Sequence, residues 1–125
     1  MRTRASGDDG LVAVVVLAVS LLLLAALGAA SVLADLLAAR QRAAAAADLG
    51  ALAAAPAAAW SERSACAAAG SVVTANSAVL RECAVRSGDV WVTVSALPRS
   101  RAARWVADAL LGGTGPRVSA RAGLR

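Results

Sequence analysis

From Leu11 to Ala34 the chain is an unbroken run of Leu, Val and Ala, with a few Ser and Gly and no charged residue. As a helix rising about 1.5 Å per residue this run extends roughly 36 Å, more than the ~30 Å hydrocarbon core of a bilayer. It therefore reads as a transmembrane segment, 11–34, preceded by a polar leader, 1–10, expected to be disordered and cytoplasmic. In a chain of 125 residues this leaves one small domain of about 70 residues, whose core is marginal and usually needs a staple. Small residues recur four apart within the run (Ala25 and Ala29, Ala26 and Ala30, Ala30 and Ala34), a spacing that admits a second helix; a plain lipid-facing anchor is the alternative.

Cys66 and Cys83 are the only cysteines. Two thiols cannot complete a tetrahedral zinc site, so a disulfide and an oxidising compartment are expected, with two separate buried thiols as the alternative. Arg2 and Arg4 before the apolar run are balanced by Arg40 and Arg42 after it, so the positive-inside rule does not orient the chain. The cysteine pair and the larger C-terminal portion favour a single-pass cell-membrane protein with its N-terminus in the cytoplasm and its head outside.

His, Lys, Tyr and Phe are absent, which removes the commonest general base, the Schiff-base lysine and the Ser/His/Asp and Cys/His constellations. The eight acids are scattered and form no catalytic motif. No enzyme activity, cofactor, metal or small-molecule substrate is expected. The net charge of +5 is uneven: up to Pro98 seven Arg meet seven acids, while from Arg99 onward six Arg meet only Asp108. Such a patch suits an anionic membrane surface better than nucleic acid, because the chain has almost no aromatic residues on which bases could stack.

Beyond the membrane the helix is expected to continue. Asp35 to Ala55 holds one Gly and no Pro, and Ala43 to Ala47 is a run of the best helix former. One helix over 11–55 is predicted, ended by Pro56. A second runs from Trp60 to Asn76, capped by Ser61 or Ser64, with Cys66, Ala69, Val72 and Val73 on one face and Asn76 as a left-handed terminator. Val79–Arg86 and Asp89–Ala96 flank Ser87-Gly88, a two-residue hairpin loop. Pairing about that loop sets Cys83 and Val85 with Val90, Val92 and Val94 on one face, and Glu82, Trp91 and Thr93 on the other. Cys83 then points inward, within reach of Cys66.

After Pro98, the residues Ala102, Trp105, Val106, Ala109 and Leu110 fall on one helical face, with Arg101, Arg104 and Asp108 opposite and Gly112 at the end. This basic amphipathic helix is expected either at a membrane surface or packed on the hairpin. Arg117 to Arg125 alternates as a third strand would. The fold class is thus a membrane-anchored α+β protein: leader 1–10, transmembrane segment 11–34, helical extension 35–55, and a small α+β head, 56–125, with a hairpin or three-stranded antiparallel sheet.

An uncharged segment beginning after a Gly, then Ala34-Asp35-Leu36, Arg40-Gln41-Arg42 and Ala46-Ala47-Asp48-Leu49-Gly50-Ala51-Leu52-Ala53-Ala54-Ala55, resembles the N-terminal helix of the TadE/TadG-like proteins of Flp-type pilus assembly. The D-x-x-A-L-A-A-A pattern of Asp48 to Ala55 is its most specific part. The remainder, with a Cys in a second Ala-rich helix, an Asn at its end, a Cys opening a hairpin and a closing Val118-Ser119-Ala120-Arg121-Ala122-Gly123, is similar to a short actinobacterial subgroup of TadE-like proteins that accompany Tad-type secretion genes.

The resemblance implies a pseudopilin-like structural or assembly component without catalysis. Its implied partners are other pilin-like subunits, Tad-type secretion components or further copies of itself. It also implies helix packing through Asp35, Asp48, Leu49, Ala51 and Leu52. Asp35 is expected to be solvated at the membrane exit. Asp48 is expected to pair with Arg40 or Arg42 of a neighbouring subunit or to stand on a solvated face. Related pseudopilins are cut after a Gly with Glu five residues on; Gly7 and Gly10 are the candidate processing sites, with Val12 and Val15 at the fifth position. Two alternatives remain: a secreted disulfide-stapled domain with a signal peptide cut after Ala30 or Ala34, and a membrane-active protein working through the basic amphipathic helix.

Overall fold

The computed structural model describes residues 8–123. Its elements run α1 (Asp8–Ala57), α2 (Glu62–Ala75), β1 (Val79–Arg86), β2 (Asp89–Ser95), α3 (Arg101–Leu111) and β3 (Arg117–Gly123), an α+β architecture as predicted. Residues 1–7, which include Gly7 and most of the expected leader, lie outside the described residues, as do the last two residues of the predicted third strand.

α1 is one helix of 50 residues, about 75 Å long, and it overruns the predicted limits at both ends. Asp8–Gly10 are helical rather than part of a disordered leader, with no Pro between them and the apolar run to stop the helix. Pro56 lies inside the last turn instead of stopping the helix at Ala55. Proline lacks the N–H that would reach the Leu52 carbonyl, and Leu52 is on the exposed side of the helix, where the lost bond costs least. The Ala58 N–H still reaches the Ala54 carbonyl at 3.0 Å.

The two halves of α1 differ in what surrounds them. Gly10 through Ser31 are exposed around the whole circumference. Ser20 and Ser31 turn their hydroxyls back to the Val16 and Gly28 carbonyls at 2.8 Å, so both donors are satisfied within the helix. By length and composition α1 can cross a membrane. In the second half Ala39, Ala43, Ala46, Ala47, Ala51 and Ala54 are buried, a helical-period stripe of small side chains. It lets α2 come close: a Cβ at Gly50 would stand 2.9 Å from Val73 Cγ2.

α2 begins at the predicted cap Ser61, whose side chain accepts from the Ser64 N–H at 3.1 Å. Its end differs from expectation. Asn76 has φ −90° because its side-chain amide donates to the Val72 carbonyl at 2.8 Å and ties it to the last turn. The left-handed step passes to Ser77, φ 56°.

The sheet is antiparallel in the order β1-β2-β3. α1 lies against β2 and β3, α2 lies against β1 and part of β2, and the two helices pack on each other. Cys83 faces Val92 and Val85 faces Val90, the predicted register, about a turn in which Ser87 and Gly88 both take positive φ. A register shift between Leu80 and Glu82 was not legible in the alternation. Unbroken alternation from Cys83 would turn Arg81 inward; the shift places Leu80 against the core and lets Arg81 Nε donate to Ser95 Oγ at 2.7 Å. β3 pairs with β2, Val118 opposite Val94 and Ala122 opposite Val90, as the third strand predicted. The largest fully buried side chains are Val73, Val90, Val92, Val94, Pro98 and Ser95, a shallow core. Cys66 and Cys83 form a disulfide across it, with Cα atoms 5.8 Å apart.

Candidate functional site

β2 runs toward the apolar half of α1, and the chain emerging from it meets the first charged residue after the apolar run. The Asp35 carboxylate accepts from the backbone N–H groups of Ser100, at 2.6 Å, and Arg99, at 3.2 Å. These groups lie where α3 begins: Ser100 is its N-cap and its Oγ accepts from the Ala103 N–H at 3.2 Å. Arg42, two turns along α1, donates to the Leu97 carbonyl at 3.4 Å, and Arg104 Nε donates to the Pro98 carbonyl at 2.9 Å. The Ser100 backbone N–H above all, then its hydroxyl and the Arg99 N–H, with a smaller effect of Arg42, hold the Asp35 carboxyl below its ordinary value, partial burial opposing them. Asp35 is thus a clasp between two parts of the chain 64 and 65 residues apart, not merely a solvated acid.

The height of this clasp is visible along α1. After the exposed stretch, Val32, Asp35, Leu36 and Ala39 are the first residues to lose exposure. Their i, i+3, i+4, i+7 spacing is one helix face. It is the face that carries the Asp35 carboxylate, to which the N-cap of α3 is bonded.

α3 touches no other helix or strand than α1 among the described residues. The alternative in which its apolar face packs on the hairpin is therefore not met. Its buried residues are Ala103 and Ala107, small enough to lie close to α1. The predicted apolar arc is offset from that contact: Trp105 is 73% and Leu110 76% exposed, Ala102 and Ala109 are exposed, and Val106 is half-buried. Arg101 and Arg104 are exposed, and Gly112, with φ 65°, ends the helix as predicted. A shallow groove beside the clasp is lined by Asp35, Ala38, Gln41, Arg42, Ala45 and Arg99.

The remaining signature positions divide between opposite sides of α1. Ala51 is buried against the head, whereas Asp48, Leu49 and Leu52 face outward with Leu37, Gln41 and Ala45. The one ion pair among the described residues is Asp89–Arg121, so Asp48 stands on an exposed face within this chain. Gly10 is an exposed helical residue of α1.

Several contacts escaped the sequence reading. Glu62 accepts from the Val85 N–H at 3.2 Å, tying the start of α2 to β1. On the outer face of the sheet the Arg121 guanidinium lies 5.0 Å from the Trp91 ring and binds Asp89. Both join residues more than 20 positions apart, with no local pattern to announce them. Among the described residues no three His, Cys, Asp or Glu side chains converge as a metal site. What the exposed arrangement offers is apolar contact, cationic contact and hydrogen bonding. In comparisons with known proteins, the chain matches no family model, no curated protein and no solved structure.

Proposed function

We propose that this chain is a non-enzymatic, single-pass membrane protein, a pseudopilin-like structural or assembly component of a Tad/Flp-type pilus or secretion system. The observation that carries the reading is the way α1 is used. Its first half is exposed all round and apolar, which suits lipid. Its second half holds the head with an alanine stripe on one side and leaves Leu37, Leu49 and Leu52 bare on the other. A long helix with one side committed to its own head and an apolar strip on the other is built to lie beside further helices. The TadE-like pattern around Asp48 falls on both strips. The Cys66–Cys83 disulfide supports an extracytoplasmic head and a cytoplasmic N-terminus.

Site-specific photo-crosslinking in the native host tests the proposal. A benzophenone side chain at Leu49 or Leu52 is expected to capture further copies of the chain or other helical subunits of the machine, while one at exposed Ser71 on α2 is not. Equal yields from all three positions would overturn the packing role. Intact mass decides whether the anchor is kept: a product starting at Met1, or just after Gly7 or Gly10, retains it. A start at Ser31 or Asp35 would show a cleaved signal peptide and remove the basis of the reading.

A further inference from the structure

We propose that α3 is a second membrane contact, an interfacial helix that lies on an anionic lipid surface. In this arrangement Trp105, Ala109 and Leu110 face the acyl boundary, Arg99, Arg101 and Arg104 face the headgroups, and the Asp35 clasp holds the helix at that height. The inference rests on reading 11–34 as a membrane span and adds where the head sits against the bilayer.

Three independent observations converge. The first is position: the N-cap of α3 is bonded to Asp35, on the helix face that Asp35 shares with Val32, Leu36 and Ala39, which straddles the last residues of the uncharged run. A helix held there lies where hydrocarbon gives way to headgroups. The second is the unpartnered apolar arc. α3 fully buries Ala103 and Ala107 and half-buries Val106, leaving Trp105 and Leu110 about three-quarters exposed. An indole prefers the interfacial zone, where its ring is buried and its N–H stays hydrated. The third is charge: Arg40, Arg42, Arg99, Arg101 and Arg104 outnumber Asp35 and Asp108 in these two segments. Each Arg near an anionic surface favours the docked state by about fivefold.

The geometry supplies an internal control. Trp60 follows the far end of α1 and is 87% exposed, with roughly 33 Å of helix between Asp35 and Ala57. It is too far from the bilayer to enter it while α3 lies on the surface.

The test uses the full chain in liposomes of phosphatidylcholine with and without phosphatidylglycerol, containing phospholipids brominated near the headgroup. Two single-Trp proteins are compared: Trp60→Phe with Trp91→Phe, which reports on Trp105, and Trp91→Phe with Trp105→Phe, which reports on Trp60. Trp105 should be quenched at least twice as strongly with phosphatidylglycerol as without it, and Trp60 in neither. Arg101→Gln with Arg104→Gln should bring Trp105 quenching back to the level in phosphatidylcholine alone. If the protein floats with the liposomes and resists alkaline extraction, yet Trp105 is quenched no more than Trp60, the anchor stands and the interfacial helix is refuted. A protein partner on this face would give that same result in the purified system. If the protein is extracted by alkali, the membrane span itself fails, and the inference with it.

Discussion

Replacing Cys66 and Cys83 together by alanine removes the one covalent cross-link between α2 and the sheet. β1 depends on that tie more than any other strand: it is an edge strand, packs on α2 and β2, and has no contact with α1. The bridge spans 17 residues of sequence, and closing such a loop in the unfolded chain contributes about 3 kcal/mol in the chain-entropy account. A head of this size has a total stability of roughly 4–10 kcal/mol, so the bridge is a large part of it. For a 60–100-residue unit the loss lowers the melting temperature by roughly 12–24 °C. The measurement is thermal unfolding of the full chain in nanodiscs, followed by amide hydrogen exchange at a temperature where both proteins are folded. Exchange should rise most in β1 and at the start of α2, and least along the alanine stripe of α1. A double variant that melts within about 4 °C of the parent, or whose extra exchange is spread evenly over the three strands, would refute the assignment of the bridge as the staple of an otherwise thin core.

Asp35 should give the clasp a pH dependence. Its carboxyl is held below the ordinary value of 3.8, so its contribution is fully present above that pH and is lost as pH falls through the lower folded value. Exchange of the Arg99 and Ser100 amides should accelerate over that acid range beyond the intrinsic pH trend, and Asp35→Asn should abolish the excess; an unchanged excess in the variant would point to another group. Gly50→Leu should destabilise the head by about 2–3 kcal/mol through overpacking against Val73, read as a lower denaturant midpoint. Gly50→Ala should cost less, because helix propensity returns about 1 kcal/mol. Gly115→Ala should cost about 1–3 kcal/mol, since Gly115 has φ 66° and an added Cβ would meet the Ala96 carbonyl oxygen at 2.5 Å; a melting point equal to the parent's would count against that.

What could be read from the sequence was what local pattern determines. The Ser87-Gly88 turn and the alternation around it led to the register of Cys83 with Val92 and thereby to the disulfide. The apolar period of 101–111 was enough to find α3 and its end. It was not enough to choose which part of a broad apolar arc would be used. That depended on size: Ala103 and Ala107 permit the close approach to α1 that Trp105 and Leu110 would prevent. The Arg81 irregularity could not be read because a single extra residue reverses the alternation without any Gly or Pro to mark it. Asp35 was the largest omission. Its partners are backbone groups of Arg99 and Ser100, and no side-chain type encodes a bond to backbone at such separation.

The same clasp limits how the proposed assembly could be built. The alanine stripe that includes Ala51 is already occupied by the head, and Asp35, on the face it shares with Val32, Leu36 and Ala39, is taken up by the start of α3. On the extension Leu37, Ala38, Arg40, Gln41, Ala45, Asp48, Leu49 and Leu52 remain open, all within one half of the helix circumference, so a neighbouring helix can approach there from one side alone. Below Val32 the full circumference is free, and packing in the membrane can have any number of neighbours. Substitutions should therefore separate by height and side. Leu52→Arg should abolish crosslinks from Leu49 while leaving the melting temperature of the isolated protein unchanged, because the side chain is 65% exposed and lies outside the buried core. Ala51→Arg, one residue away, should unfold the head and lose the same crosslinks only as a consequence. If Leu52→Arg lowered the melting temperature as much as Ala51→Arg, the division of α1 into an inner and an outer side would be wrong.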